Sequence, residues 1–214
     1  MKKLITALVV LFAPLFLIET NAQGLFSNKE YDGGRQDLTA YIIGKVPLVE
    51  GMVSFNETIE IPLKKDELYK RVAQWASFRF NPDTENGKWP NANYFKNTEY
   101  ARIINADKEK GLFKIQGNEE LLFTNKALSK DMAIVSYIMN ITITEGKVSA
   151  IIDNIAYTYT LSDNPERIVA EDWITDDQAF TNKGKLRKVN GKFRVKTIDL
   201  KDALFDDLRN VLIN

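Results

Sequence analysis

Two adjoining stretches leave this chain few ways to fold. In Met132–Thr144, MAIVSYIMNITIT, the residues Val135, Tyr137, Met139, Ile141 and Ile143 form one apolar row, opposed by Ser136, Asn140, Thr142 and Thr144. Apolar residues at every second position mark a strand buried on one side. Glu145-Gly146-Lys147 then supplies a tight turn into a second extended stretch, VSAIIDNIAYTYT, so the two predict an antiparallel hairpin. The second stretch changes phase at Asp153-Asn154, which predicts a bulge or a strand end there. A lone hairpin is marginal in water, so its apolar side requires further strands and a cover.

The cover is encoded on either side. Val53, Phe55, Ile59 and Ile61 alternate with Ser54, Asn56, Thr58 and Glu60, giving a strand that Pro62 stops. Leu68, Val72 and Trp75 then recur at helical spacing beside Tyr69 and Ala76, with Asp66 and Glu67 where acids favour the positive end of a helix dipole. Trp75 on that stripe reads as core. "EYARIINAD" and "LFKIQG" predict another hairpin, turning through Glu109, Lys110 and Gly111, and "IDLKDALFDDLRNVLI" places Leu200, Leu204, Leu208, Val211 and Leu212 on one helical face. The order strand, helix, four strands, helix predicts an α+β fold, an antiparallel five-stranded sheet with both helices on one face. Leu68 and Leu204 then belong in one core.

The N-terminus speaks to location. Lys2 and Lys3 precede an apolar run from Leu4 to Ile18 and then ETNAQ, the pattern of a secretory signal cut between Ala22 and Gln23. The run is shorter than the roughly 20 residues that span a bilayer and is broken by Pro14. The expected organisation is a signal at 1–22, a loose polar arm at 23–45 and one domain at 46–214, in a protein that is periplasmic or extracellular. Without cysteine there is no lipid-anchoring residue, disulfide or thiolate metal site. Without histidine, Ser-His-Asp and Cys-His nucleophile systems are excluded, as are most zinc sites. Removing residues 1–22 leaves 27 basic and 28 acidic side chains, a balance that argues against a general nucleic-acid binder.

Taken together, YIIGKVPLVEGMVSF, KKDELYKRVAQW, DKEKGLFKIQG and ITITEGKVSAIIDNIAYTY resemble a family of secreted bacterial proteins known as a domain of unknown function with a TBP-like fold, the fold of one repeat of the TATA-box-binding protein. The resemblance covers about Tyr41 to Tyr159. It implies the element order just derived and brings no catalytic residue, cofactor or substrate. It does not imply DNA binding, because a fold does not fix a function.

Four features are candidate sites. Trp89, Tyr94 and Phe95 lie in a long turn-rich connection, Asn81 to Asn97, and are able to stack on a sugar or a peptide; alternatively they fold back over the helix end. Ser136, Asn140 and Thr142, with Thr144, Asn154 and Thr158 and dotted by Ile134, Ile138 and Ile152, form a hydroxyl and amide surface on the sheet face turned from the helices, suited to a ligand or partner. Asp163 to Asp177 holds six acids and one arginine, whereas Lys183 to Lys196 holds seven bases and no acid. Glu171, Asp172, Asp176 and Asp177 do not have calcium-loop spacing; Lys185, Arg187, Lys188, Lys192 and Arg194 would meet an anionic partner, or the two runs are solvated or pair with each other. The pairs Glu119-Glu120 and Asp206-Asp207 point apart in a strand or helix, so carboxylate chemistry would need acids from distant parts of the chain to converge. No metal or other cofactor is implied. The expected function is a non-catalytic binding or protein-interaction module of the cell envelope, with an envelope protein, glycan or peptide as partner; the alternative is a hydrolase of envelope glycan or peptide using paired carboxylates.

Overall fold

A computed structural model describes residues 39–81, 95–126, 129–159 and 166–214. The hairpin that dominates the sequence dominates the fold. Strands β1 (Leu48–Val49), β2 (Met52–Val53) and β3 (Phe55–Glu60) precede helix α1 (Lys65–Arg79). Then come β4 (Phe95–Asn97), β5 (Arg102–Asp107), β6 (Leu112–Lys126), β7 (Ser129–Thr144), β8 (Lys147–Tyr159) and β9 (Arg167–Val169), and finally the one-turn helix α2 (Asp176–Ala179) and the long helix α3 (Lys188–Ile213). All pairings are antiparallel, in the order β3-β8-β7-β6-β4, with β5 also on β6 and β9 also on β8. β1 and β2 form a separate small hairpin.

The α+β architecture is the expected one. The sheet carries two more strands than the five predicted, both three residues long and both at its edges. β4 ends the connection read as a loop, and β9 lies in the stretch with no periodicity. Strands this short contain too few alternations to be seen in sequence.

Both helices lie on one face, and Leu68 and Leu204, fully buried, belong to one apolar cluster. From the sheet that cluster receives Phe113, Ile115, Leu121 and Phe123 of β6, the predicted row of β7, and Val148, Ala150, Ile152, Ile155 and Tyr157 of β8. The phase change at Asp153-Asn154 is a bulge: the β7–β8 register slips between Ser136 and Ile138, and Asn154 has φ 52°. The bulge turns Ile155 and Tyr157 inward, in phase with Ile152. Ile152 is therefore 3% exposed and packs under the helices, not on the opposite face where alternation from Asp153-Asn154 would put it. Ile151 takes the outer position.

α3 begins at Lys188, ten residues before the helix legible in the sequence. Its first half, Val189-Asn190-Gly191 through Thr197, mixes helix-forming bases with β-branched residues, asparagine and glycine, which are poor for helices. Burial overrides that preference: every residue from Gly191 to Ile198 is buried. The chain packs around this half from several sides: the 3-10 turn Thr39–Tyr41, α2 and the sheet all contact α3, and Arg194 donates to the Ile174 carbonyl. The segment 39–45, the end of the stretch read as an arm, thus lies against the domain, with Tyr41 8% exposed and its hydroxyl donating to Asp199 Oδ1 at 2.7 Å. Among the described residues no helix is long and apolar enough to cross a membrane.

Candidate functional site

The inner face of the sheet is not wholly apolar. Along β6 the inward positions run Phe113, Ile115, Gly117, Glu119, Leu121, Phe123, so a glycine and a carboxylate interrupt the row. Gly117 pairs with Tyr137 across the ladder, and a Cβ on it would lie 2.0 Å from Cζ of that tyrosine. With no side chain there, the Tyr137 ring lies against the β6 backbone, and its hydroxyl donates to Glu119 Oε1 at 2.5 Å. Glu119 Oε2 accepts from Arg79 Nη2 of α1 at 2.6 Å, and Arg79 Nη1 donates to Asn97 Oδ1 of β4 at 3.2 Å. Asn97 Nδ2 donates to the carbonyl of Arg79 at 2.5 Å. Asp207 of α3 lies 4.0 Å from Arg79 Nε, which has no hydrogen-bond acceptor among the described residues.

This network ties both helices to the sheet. Burial by itself would lower the pKa of Arg79, but the charges of Glu119, Tyr137 and Asp207 outweigh it and hold the guanidinium above its ordinary value. Burial pushes the Tyr137 hydroxyl well up, and the Glu119 charge adds to that against the opposing Arg79.

The acid pairs split as their spacing requires. Glu119 is buried while Glu120 is half-buried, and Asp207 is buried while Asp206 is exposed. One member of each pair does converge on a common centre, Arg79, which is what hydrolysis by distant carboxylates would need. The centre is sealed, however: Arg79, Glu119 and Asp207 are 4%, 0% and 2% exposed. Their geometry is that of a structural ion network closed to a substrate.

The two charge runs are likewise partly internal. Arg194, with no exposed surface, donates to the carbonyls of Tyr41 (2.9 Å), Ile42 (2.6 Å) and Ile174 (2.8 Å) and pairs with Asp176 at 2.8 Å. Burial lowers its pKa, with Asp176 opposing. Lys192 Nζ donates to Asp131 Oδ2 at 2.6 Å and Tyr159 OH at 2.7 Å, and sits 4.5 Å from the ring centres of both Phe123 and Tyr159. The runs meet each other at Arg194–Asp176, but the solvated reading fails for Lys192, Arg194 and Lys196, which are buried, and Lys192 and Arg194 are not available to an anionic partner. Lys185, Arg187 and Lys188 do remain exposed. The acidic run ties chain segments together: Glu171 Oε1 accepts from Val53 N and Asp176 Oδ2 from Gly44 N, both at 2.8 Å.

The outer face is open; no described helix packs on it. Ser136, Asn140 and Thr142 of β7 lie there, as predicted from their phase, with Ile134 and Ile138 between them. The register sets them in rows across the sheet. Thr58, Ser149, Thr142 and Leu112 align across β3, β8, β7 and β6, and Asn56, Ile151, Asn140 and Lys114 form the next row. Asn118, Ser136 and Ala156 make a third. Thr58 and Ser149 hydroxyls are 3.2 Å apart, and Ser136 Oγ donates to the Ala156 carbonyl at 3.4 Å. Thr144, Asn154 and Thr158 are exposed on the same strands. With strands about 4.8 Å apart and same-face neighbours about 6.8 Å apart along each strand, these hydroxyls and amides present a regular array of donors and acceptors interleaved with aliphatic side chains. Trp89 and Tyr94 lie outside the described residues. Phe95 opens β4, its backbone paired with Leu121.

Sequence reasoning missed the Arg79 network, the Lys192 cluster and the Arg194 contacts. The first carried a signal, Gly117 and Glu119 in the inward phase of β6. The other two carried none, because their partners are scattered along the chain, at Asp131 and Tyr159 for Lys192 and at Tyr41, Ile42, Ile174 and Asp176 for Arg194.

One antiparallel sheet, covered on one face by two helices and open on the other, defines a protein of the TBP-like α+β class. Residues 55–158 match the family described as Domain of unknown function (DUF4468) with TBP-like fold. A crystal structure of a DUF4468 family protein from Bacteroides ovatus is similar, with 29% identity and a TM-score of 0.70 over 83% of this chain and 95% of that one. A TBP-like protein from Parabacteroides distasonis shares the fold at 23% identity and a TM-score of 0.59, over 79% and 97% of the two chains. No curated protein matches.

Proposed function

We propose that this protein is an exported, non-catalytic binding module of the cell envelope that takes a glycan or peptide on its open sheet face. The observation that carries the reading is the row Thr58, Ser149, Thr142 with Asn140 beside it and Ser136 one outward position further along, past Ile138: five short polar side chains on three strands, interleaved with Ile138 and Ile151. Directional donors and acceptors next to aliphatic surface are what orient a polar ligand with an apolar side. Lys2-Lys3, the apolar run and the Ala22-Gln23 junction support export. Mass analysis of protein recovered from the expressing cells should find Gln23 at the mature N-terminus; an intact Met1 terminus on the recovered protein would remove the export reading.

Soluble peptidoglycan fragments, both glycan chains and stem peptides, are the probes for the binding reading. Titration followed by NMR should shift the amides of β7 and β8. A Ser136→Ala, Asn140→Ala, Thr142→Val variant with unchanged melting temperature should lose at least about tenfold in affinity, a drop of about 1.4 kcal/mol. Equal affinity of the variant and the parent protein would show that the face is not the site.

A further inference from the structure

Half of the ten large apolar side chains exposed among the described residues fall in the eleven residues from Ile42 to Met52: Ile42 (47%), Ile43 (59%), Leu48 (54%), Val49 (49%) and Met52 (42%). Scattered exposed aliphatics need no explanation, but a concentration of this kind marks a contact surface. The stretch is also firmly held. The Arg194 guanidinium grips the carbonyls of Tyr41 and Ile42 from inside, Tyr41 OH is bonded to Asp199, and Gly44 N and Val53 N are bonded to Asp176 and Glu171. Between these ties the β1–β2 hairpin turns at Glu50-Gly51, both with positive φ, so that Val49 and Met52 form a cross-strand pair at its tip. The backbone at each end of the apolar stretch is thus fixed, and its apolar side chains face water.

The same ties determine what surrounds it. Asp176, bonded beside Ile43, is followed by exposed Asp177; Glu171, bonded beside Met52, is followed by exposed Asp172; and Glu50 is exposed at the hairpin turn. Within residues 39–53 the single base is Lys45. Apolar side chains are therefore flanked at both ends by carboxylates.

We propose that Ile42–Met52 is a docking surface for a partner polypeptide segment in which apolar side chains alternate with lysine and arginine. The apolar side chains supply the buried area, and the flanking Asp172, Asp177 and Glu50 favour a basic segment through charge complementarity and faster encounter. An anionic membrane surface is disfavoured by the same three carboxylates. This surface is separate from the open sheet face and does not depend on what binds there.

The test uses the mature chain and a fluorescently labelled synthetic leucine/lysine amphipathic peptide, with a leucine/glutamate peptide of the same spacing and phosphatidylglycerol vesicles as comparisons, read by anisotropy and co-sedimentation. The leucine/lysine peptide should bind, with affinity falling as salt rises, and the other two probes should not. An Ile43→Ser, Leu48→Ser variant, which alters only exposed side chains, should bind at least about tenfold more weakly, and Asp172→Asn with Asp177→Asn should weaken binding and flatten its salt dependence. The proposal is overturned by no binding of the leucine/lysine peptide, by equal binding of the leucine/glutamate peptide, by unaltered affinity of the Ile43→Ser, Leu48→Ser variant, or by binding to vesicles alone.

Discussion

The two faces of this sheet are built from the same strands, often from consecutive residues, yet they obey different rules. On the inner face Glu119, Tyr137 and Arg79 are buried together, and each group depends on the others because an unpaired buried charge is costly. On the outer face Glu120, Ser136 and Asn140, each next in sequence to an inward residue, keep contact with solvent, which replaces any partner they lose. Chemical polarity therefore does not tell which residues support the fold and which are free to serve binding. Accessibility does, and the hydrolase-like convergence of Glu119 and Asp207 illustrates it: the acids are present and converge, but on the wrong side of the sheet to meet a substrate.

Mutation should expose the contrast as a graded series. Glu119→Ala removes the acceptor for both Arg79 and Tyr137 and should cost about 3–5 kcal/mol in urea unfolding; a loss below about 1 kcal/mol would mean the network is not the buried tie between α1, β6 and β7 described above. Trp75→Ala, at the centre of the α1 stripe and 1% exposed, should cost a similar 3–5 kcal/mol, and a variant melting at the parent temperature would contradict the position of α1 on the sheet. Gly117→Ala drives a methyl into the Tyr137 ring and should cost about 1–3 kcal/mol, an effect that Gly117→Ala in a Tyr137→Leu background should largely lose.

A subtler difference lies in pH. Burial pushes the Tyr157 hydroxyl, which is bonded to Thr197, well above its ordinary value of 10.0, and Tyr137 is raised likewise. A raised folded-state pKa means that the unfolded chain releases its proton first. Stability from these two groups is complete below about pH 10 and falls as pH rises from there toward the folded values, by about 1.4 kcal/mol per pH unit for each tyrosine. Urea midpoints between pH 9 and 11 should show this decline, and Tyr157→Phe should reduce its slope; an unaltered slope would mean that Tyr157 ionises in the folded state as it does in the unfolded one. Smallest of all, Asn140→Ala on the outer face should change stability by no more than about 0.5 kcal/mol. A larger loss would show that the open face is part of what holds the fold together, which would end the contrast between the two faces.

Much of the architecture was legible because it rests on periodicity. The β7–β8 hairpin, α1 and the second half of α3 repeat an apolar residue at a fixed interval, the β5–β6 turn at Gly111 shows in its turn residues, and each lies where those signals put it. Legibility ended where burial came from more than one side. Residues 191–197 of α3 look charged and irregular in sequence because they are enclosed on several sides, and a helix enclosed in this way has no polar stripe to reveal its period. Of the candidate site residues, Ser136, Asn140 and Thr142 were placed correctly by phase alone. Ile152 was misplaced because the bulge at Asn154 resets the phase, and a bulge can be suspected from sequence without its register being known.

By itself, the sequence determined the local geometry of the strands and helices and the face of each that seeks the core, since these depend on residues within a few positions of one another. It also determined the chemistry denied to the chain by the absence of histidine and cysteine. Only the tertiary structure decided which polar groups are internal ties and which are surface: that Glu119 meets Arg79, that Arg194 holds Ile42, and that Glu171 accepts from the backbone at Val53. Each of these is a contact between residues far apart in the chain, and its energy depends on the exclusion of water, which exists only once the sheet, the helices and the N-terminal segment have closed around it.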